Sequence, residues 1–271
     1  LLLGLNTASS ESEDTKTANE NAYKEASAQM AQTHMTQVCL FIVEYAMAKT
    51  LMHYGLKPDV MIGHSLGEFV AATLAGVFTL EDAIAAVSLR GKLMQSMQAG
   101  AMMAVNTEES ALTPLLEGID VDLAAVNGPK QCTVAGTFDA IDTLAEQLES
   151  QDIKHKKLNT SHAFHSFMME PMLATFGDFI GTLSLQAPQM SYYSNVTGEL
   201  ISAEQAIDPS YWQQHIRQGV RFHQGVSQIT SHPSTLLIEV GPGTVLTAFA
   251  KQPSRKPVRT VATLPPDSQK D

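Results

Sequence analysis

The feature that most constrains the fold is the pentapeptide GHSLG at 63–67. A short apolar run at 58–63 leads into it and the helical pattern FVAATLAGV follows it, which predicts a strand, a tight turn and a helix. In that context the G-x-S-x-G pattern is typical of a nucleophile elbow, whose small residues allow a sharp turn that exposes the serine hydroxyl. We therefore interpret Ser65 as a candidate nucleophile, with the N–H of Leu66 directed at a developing oxyanion. A purely structural turn bounded by glycines is the alternative.

Composition and charge exclude several other classes of protein. The chain has 271 residues, 44% of them apolar, and a formal net charge of −11, which argues against binding to a nucleic-acid backbone. No apolar run approaches the roughly 20 residues of a membrane span. The segment LLLGL at 1–5 is too short for the core of a signal peptide, so we expect a cytoplasmic protein. Cys39 and Cys132 lie in apolar runs without a second ligand at metal spacing, so we expect no metal site.

The order of patterns along the chain predicts an α/β fold with an insertion. Polar residues 7–30 indicate a surface loop leading into a helix, and a buried helix is expected over 37–54, ended by Gly55. Between 100 and 161 the order strand, helix, strand, strand, helix, strand is that of a ferredoxin-like unit. We therefore expect a small subdomain at 100–161, inserted into a large one formed by 1–99 and 162–271.

A serine nucleophile needs a base within hydrogen-bond reach, and the chain has nine histidines. His64 is adjacent to Ser65, and at an elbow such a side chain is usually turned away from the hydroxyl. Three others, His162, His165 and His215, remain open as candidates. The rest lie in polar or helical contexts typical of the surface: His34, His53, His155, His223 and His232.

Arg90 lies on a predominantly apolar helix face, one turn before Met94. A guanidinium in such a place needs an anionic partner. One interpretation is an internal salt bridge with a carboxylate such as Glu68. The other is a bidentate contact with a carboxylate of the substrate, which would select a dicarboxylic acyl unit. The spacing alone favours neither.

A series of segments occurs along the chain in a characteristic order: GHSLGE, AGVFTLEDA, GAMMAV, AAVNGP, HAFHSFMMEPM, SNVTG, YWQQHIRQGVRF and EVGPGTVLT. In these segments the chain resembles the malonyl-CoA:acyl carrier protein transacylases, and most closely the acyltransferase domains of modular polyketide synthases. The resemblance covers nearly the whole chain and implies an α/β-hydrolase-like body with a ferredoxin-like subdomain and a cleft between them.

The resemblance also implies the chemistry. Ser65 and His165 would form a dyad, with the backbone carbonyl of His215 orienting the imidazole, and Ser65 would carry the acyl group in a ping-pong reaction. The donor would be malonyl-CoA, with no permanently bound cofactor, and the acceptor the phosphopantetheine thiol of an acyl carrier protein. Neighbouring synthase domains are further expected partners, whereas nucleic acid and membranes are not.

Further residues match the substrate side of the family's cleft. Arg90 matches the arginine that pairs with the carboxylate of the extender unit, which favours the functional interpretation. The four residues HAFH, from His162 to His165, resemble the malonyl-selective form, in which the ring of Phe164 would crowd an α-methyl branch. Leu66 points the same way, and the remaining substrate-side candidates are Met94 and Gln37.

Two alternatives and one departure complete the predictions. A serine esterase or thioesterase would share the elbow but would give Arg90 no role, and an inactive docking domain of a synthase would lack turnover. The family normally opens with a strand and a GQGSQ-like loop, which does not precede Leu1. We therefore expect this sequence to be a piece of a longer chain.

Overall fold

The computed structural model describes residues 13–251 and 258–266, and it has an α/β fold. The helices are α1 (Glu13–Met30), α2 (Thr33–His53), α3 (Leu66–Leu74), α4 (Leu80–Ser96), α5 (Glu109–Leu112), α6 (Phe138–Ser150), α7 (Glu170–Gly181), α8 (Ala203–Ile207), α9 (Pro209–Arg217), α10 (Phe222–Ile229) and α11 (Val245–Ala250). The strands are β1 (Met61–Ile62), β2 (Ala101–Val105), β3 (Val121–Gly128), β4 (Gln131–Gly136), β5 (His155–Lys157), β6 (Tyr192–Tyr193), β7 (Leu236–Pro242) and β8 (Arg259–Leu264).

The small antiparallel sheet has the strand order β3-β4-β2-β5, which is the order of a ferredoxin-like unit. Helix α6 covers one face because its apolar side, with Ile141, Leu144 and Leu148, is fully buried against the strands. The expected ferredoxin-like arrangement is confirmed. We propose 100–161 as the extent of this subdomain, supported by the start of β2 at Ala101 and the end of β5 at Lys157.

The larger part of the molecule holds two parallel strand pairs, β1 with β6 and β7 with β8. Helices α2, α3, α4, α7 and α9 pack around a buried core that contains a cluster of aromatic side chains. The rings of Phe69 and Trp212 lie 4.6 Å apart, and Trp212 also meets Phe78 at 4.8 Å. This cluster fixes α3, which begins at the elbow, against α9.

The N-terminal segment differs from the prediction. Where a surface loop was expected, residues 13–30 form helix α1, while residues 7–12 lie outside the described residues. The segment is rich in alanine and glutamate, both good helix formers, and an exposed helix needs no apolar stripe when such residues fill it. The end of α2 is as predicted, because Gly55 adopts φ 91° and the N–H of Leu56 bonds the carbonyl of Leu51.

Two backbone hydrogen bonds join the small sheet to the larger part of the molecule. The N–H of Val220 donates to the carbonyl of Ala124 at 2.9 Å, and the N–H of Val126 donates to the carbonyl of Val220 at 2.9 Å. The segment after α9 is therefore held along the edge of β3. Across the described ranges, no helix combines the length and apolarity needed to cross a bilayer.

Candidate active site

The elbow at 63–67 is a tight and strained turn. A side chain at Gly63 would place its Cβ 2.0 Å from the carbonyl carbon of Gly67, so only glycine fits there. Ser65 has φ 51° and ψ −111°, and His165 has φ 57°. Such backbone conformations cost of order 1–3 kcal/mol in non-glycine residues and cluster at functional sites. The two strained residues, Ser65 and His165, contact each other through their side chains.

Ser65 and His165 form a hydrogen-bonded pair. The distance from Ser65 Oγ to His165 Nε2 is 2.7 Å, and His165 Nδ1 lies 3.0 Å from the backbone carbonyl of Gln218. Because a carbonyl can only accept, Nδ1 carries the hydrogen and Nε2 presents its lone pair to the serine hydroxyl. This is the geometry of a nucleophile with an oriented base.

The carbonyl that contacts the base is that of Gln218, so the expectation for His215 was wrong. His215 lies within α9, which ends at Arg217, whereas Gln218 is the first residue beyond it and is extended, with ψ 155°. Its carbonyl therefore leaves the helix direction and reaches the imidazole. The side chain of His215 is buried instead beside Glu68, with 3.4 Å between Nε2 and Oε2.

The pKa of His165 lies well below its ordinary value. Burial is the largest cause, and the positive charge of Arg90 acts in the same direction, while the bond to Gln218 opposes both. The imidazole is consequently neutral at physiological pH and available to accept a proton.

Arg90 is 2% exposed and points into this pair. Its Nη2 donates to Ser65 Oγ at 2.9 Å and its Nη1 donates to Oε1 of Gln37 at 2.6 Å, while Nε is buried and has no hydrogen-bond partner within the described residues. Burial lowers the pKa of the guanidinium to about 10. Arg90 therefore keeps its charge at physiological pH, and no carboxylate within residues 13–251 and 258–266 forms a salt bridge with it.

The internal salt bridge with Glu68, considered from the sequence, is contradicted. Glu68 is fully buried, but its carboxylate accepts hydrogen bonds from the hydroxyl of Tyr211 and, at 2.7 Å, from the N–H of Asn195. The partners of Glu68 thus come from other elements, and among the described residues Arg90 has no carboxylate partner.

The other predicted residues lie around the same place. Met94 is fully buried and its sulfur accepts from Nε2 of Gln37 at 3.2 Å, so Gln37 connects it to Arg90. Leu66 begins α3. The rings of His162 and Phe164 lie 6.1 Å apart, on the loop that carries the base.

Sequence reasoning missed two residues of this site. Gln218 acts through its carbonyl, so no side-chain pattern could have indicated it. Asn195 accepts the N–H of Ser65 through Oδ1 at 2.6 Å, and the signals were its place shortly after a short apolar strand and within the segment SNVTG.

An elbow serine, an oriented histidine and a buried guanidinium define a site for acyl transfer or hydrolysis, and comparison with known proteins decides the class. The model of the acyl transferase domain family matches residues 11–271, so the chain belongs to that family. Among curated proteins it is 42% identical to polyketide synthase GfsB of Streptomyces halstedii over 225 residues, which cover 81% of this chain and 4% of that protein.

Solved structures agree. The acyltransferase domain from the second module of the salinomycin polyketide synthase superposes with a TM-score of 0.84 at 38% identity, covering 89% of this chain and 57% of that one. The acyltransferase domain of SpnD, solved in complex with 2-(pent-4-yn-1-yl)malonyl, gives 0.80 at 38% identity, with 86% and 57% covered. Within the acyl transferase domain family the chain is therefore of the polyketide synthase type, and it spans only part of the length of these relatives.

Proposed function

We propose that the chain transfers a malonyl group from coenzyme A to the phosphopantetheine thiol of an acyl carrier protein through an ester on Ser65. The observation that carries this proposal is Arg90, a buried guanidinium that contacts Ser65 Oγ and has no carboxylate partner among the described residues. A buried cation next to a nucleophile is stabilised when an anion enters.

The reaction would proceed in two balanced half-reactions. Ser65 Oγ attacks the thioester carbonyl while His165 Nε2 takes its proton, and the N–H of Leu66 donates to the oxyanion. When the tetrahedral intermediate collapses, the C–S bond breaks and His165 returns the proton to the departing thiolate. The carrier's thiol then gives its proton to His165 and attacks the ester carbonyl. The bond between the acyl carbon and Ser65 Oγ breaks, and His165 returns the proton to Oγ, which regenerates the serine hydroxyl.

The carboxylate of the malonyl group would lie against Arg90. Two donors of a guanidinium form a bidentate pair with a carboxylate, which fixes orientation as well as charge. Nε is buried without a partner in the described part of the chain, and Nη1 holds only the amide of Gln37. The malonyl-type ligand bound to the related SpnD domain supports this assignment.

Preference for malonyl over methylmalonyl would come from Phe164. Its ring packs beside His162 on the loop that carries His165, where an α-branch of the acyl group would meet it. Rejection of one methyl group by a hydrophobic wall is worth about 1–3 kcal/mol. We propose that Gln37, which bonds both Met94 and Arg90, holds the guanidinium of Arg90 in place together with Met94.

The decisive experiment is intact-protein mass spectrometry after brief incubation with equal amounts of malonyl-, methylmalonyl- and acetyl-CoA. Wild type should gain a malonyl group, and Ser65→Ala should gain none. Arg90→Ala should lose the preference for malonyl over acetyl, because the charge that binds the carboxylate is gone. Equal acetyl and malonyl labelling of wild type would contradict the role of Arg90.

A second arm separates transfer from hydrolysis. The malonyl-enzyme, freed from excess donor, is divided between buffer and buffer that contains a phosphopantetheinylated carrier protein. Transfer of the malonyl mass to the carrier supports the proposal. Rapid loss to water in both samples would instead identify a thioesterase.

A further inference from the structure

We infer that Asn195 is a positioning residue that holds Ser65 in its strained conformation through hydrogen bonds to the elbow backbone; the inference rests on Ser65 being the nucleophile. Asn195 follows β6, and β6 pairs in parallel with β1, whose end leads into the elbow. The register Ile62↔Tyr193 brings the two strand ends side by side.

The side chain of Asn195 spans the turn. Oδ1 accepts the N–H of Ser65 at 2.6 Å, and Nδ2 donates to the carbonyl of Gly63 at 2.8 Å. Just past the ladder between β1 and β6, a side-chain amide therefore satisfies one donor and one acceptor of the diverging backbone. A side-chain amide can do both, whereas an ionised carboxylate has no donor.

Asn195 is itself held rigidly. It is 2% exposed, its N–H donates to the buried carboxylate of Glu68 at 2.7 Å, and its carbonyl accepts the N–H of Arg221 at 2.8 Å. Glu68 also accepts from Tyr211, whose hydroxyl contacts Ser194 Oγ at 2.7 Å. Helix α3, the end of β6 and helix α9 are thus tied to one amide group.

The hydrogen bonds of Asn195 hold Ser65 in a strained backbone conformation. A residue with φ 51° and ψ −111° lies outside the favoured wells, so it relaxes unless its surroundings hold it. The hydroxyl of Ser65 must stay within hydrogen-bond reach of His165 for general-base catalysis. Asn195 does not touch the hydroxyl, so its effect passes through the peptide groups on either side of the nucleophile.

The position also assigns the oxyanion donor. Since the N–H of Ser65 is engaged by Asn195, the elbow amide that is directed at the substrate is that of Leu66, at the N-terminus of α3. Loss of Asn195 would therefore disturb two alignments at once, that of the hydroxyl with His165 and that of the oxyanion donor with the carbonyl.

The test is the rate at which Ser65 reacts with phenylmethanesulfonyl fluoride, followed by intact mass. This reagent needs neither a carboxylate nor a carrier, so it reports the nucleophile independently of the natural donor. We expect Asn195→Ala and the nearly isosteric Asn195→Asp to react about 10- to 100-fold more slowly. This corresponds to a loss of about 1–3 kcal/mol of transition-state stabilisation when one or both alignments are disturbed. The maximal rate should fall while the half-saturating reagent concentration stays constant.

Leu144→Ala is the matched control, since Leu144 lies on α6, fully buried against the small sheet in a core cluster separate from the one that contains the elbow residue Leu66. It should unfold at a lower temperature than wild type and still react at the wild-type rate. Reaction of both Asn195 variants at the wild-type rate would overturn the inference. So would a slowing that tracks only the fall in melting temperature across all three variants.

The outcomes for the two proposals are distinguishable. If wild type reacts with the sulfonyl fluoride, the Asn195 variants react slowly and no malonyl adduct forms from malonyl-CoA, the positioning role stands and the malonyl donor is wrong. If wild type does not react at Ser65, the serine is not an activated nucleophile and both proposals fall.

Discussion

Replacement of Gly219 by alanine tests how the base is oriented. Gly219 lies between Gln218, whose carbonyl contacts His165 Nδ1 at 3.0 Å, and Val220, which bonds β3. An added Cβ would lie 2.3 Å from the carbonyl oxygen of Leu123 and 3.3 Å from its carbon. Both atoms belong to backbone within the sheet, so the segment with Gly219 must move away.

The magnitude follows from that distance. A carbon–oxygen contact relaxes to slightly over 3 Å, so the segment shifts by about 1 Å and the Gln218 bond lengthens beyond the range of about 2.7–3.2 Å typical of N–H···O hydrogen bonds. Losing such a bond costs about 0.5–1.5 kcal/mol, and the freed imidazole can then adopt the wrong tautomer. We expect acylation of Ser65 to be about 10-fold slower or more, since each 1.36 kcal/mol is tenfold.

The assay is quenched-flow acylation by malonyl-CoA with intact mass as readout. Gly55→Ala is the matched control, because Gly55 has φ 91° and no neighbouring atom within 4 Å of an added Cβ, so it strains the end of α2 without contacting the site. Gly55→Ala should lose stability but acylate at the wild-type rate. Wild-type acylation by Gly219→Ala would refute the claim that the Gln218 carbonyl orients the base.

Three further predictions concern charge and shape. Because the pKa of His165 lies well below its usual value, sulfonylation of Ser65 should persist below pH 6.5. Arg90→Gln removes a nearby positive charge, so the pH at which the sulfonylation rate falls on acidification should be higher in this variant. The dependence of the sulfonylation rate on pH measures both effects. Phe164→Ser should raise the ratio of methylmalonyl to malonyl adduct by about 10-fold or more in the mass assay. Burial and Glu239 raise the pKa of Glu44 from 4.5 to about 7, so its stabilising contribution is complete below pH 4.5 and is lost as the pH rises through 7. Glu44→Gln should therefore stabilise the protein at pH 8 relative to wild type, as a higher midpoint of urea unfolding.

Local patterns were enough for most elements of the fold. The elbow was predictable because glycine at 63 and 67, a short apolar strand and an apolar helix all constrain a single turn. The ferredoxin-like order at 100–161 followed from alternating strand and helix periods. Helix α1 was missed because its polar composition carries no burial pattern, although alanine and glutamate in it favour a helix.

For the candidate site, too, some features were predictable from local sequence and others were not. The sequence by itself determined the strand–turn–helix around Ser65 and placed Arg90 on an apolar face, since both depend on neighbours along the chain. Only the tertiary structure decided that Glu68 bonds Asn195 and Tyr211 rather than Arg90, and that the carbonyl of Gln218 contacts the base. Those contacts join residues far apart in the chain, and a backbone carbonyl has no side-chain identity for a pattern to record. The packing of α9 and β3 sets their geometry, which exists only once the whole core has formed.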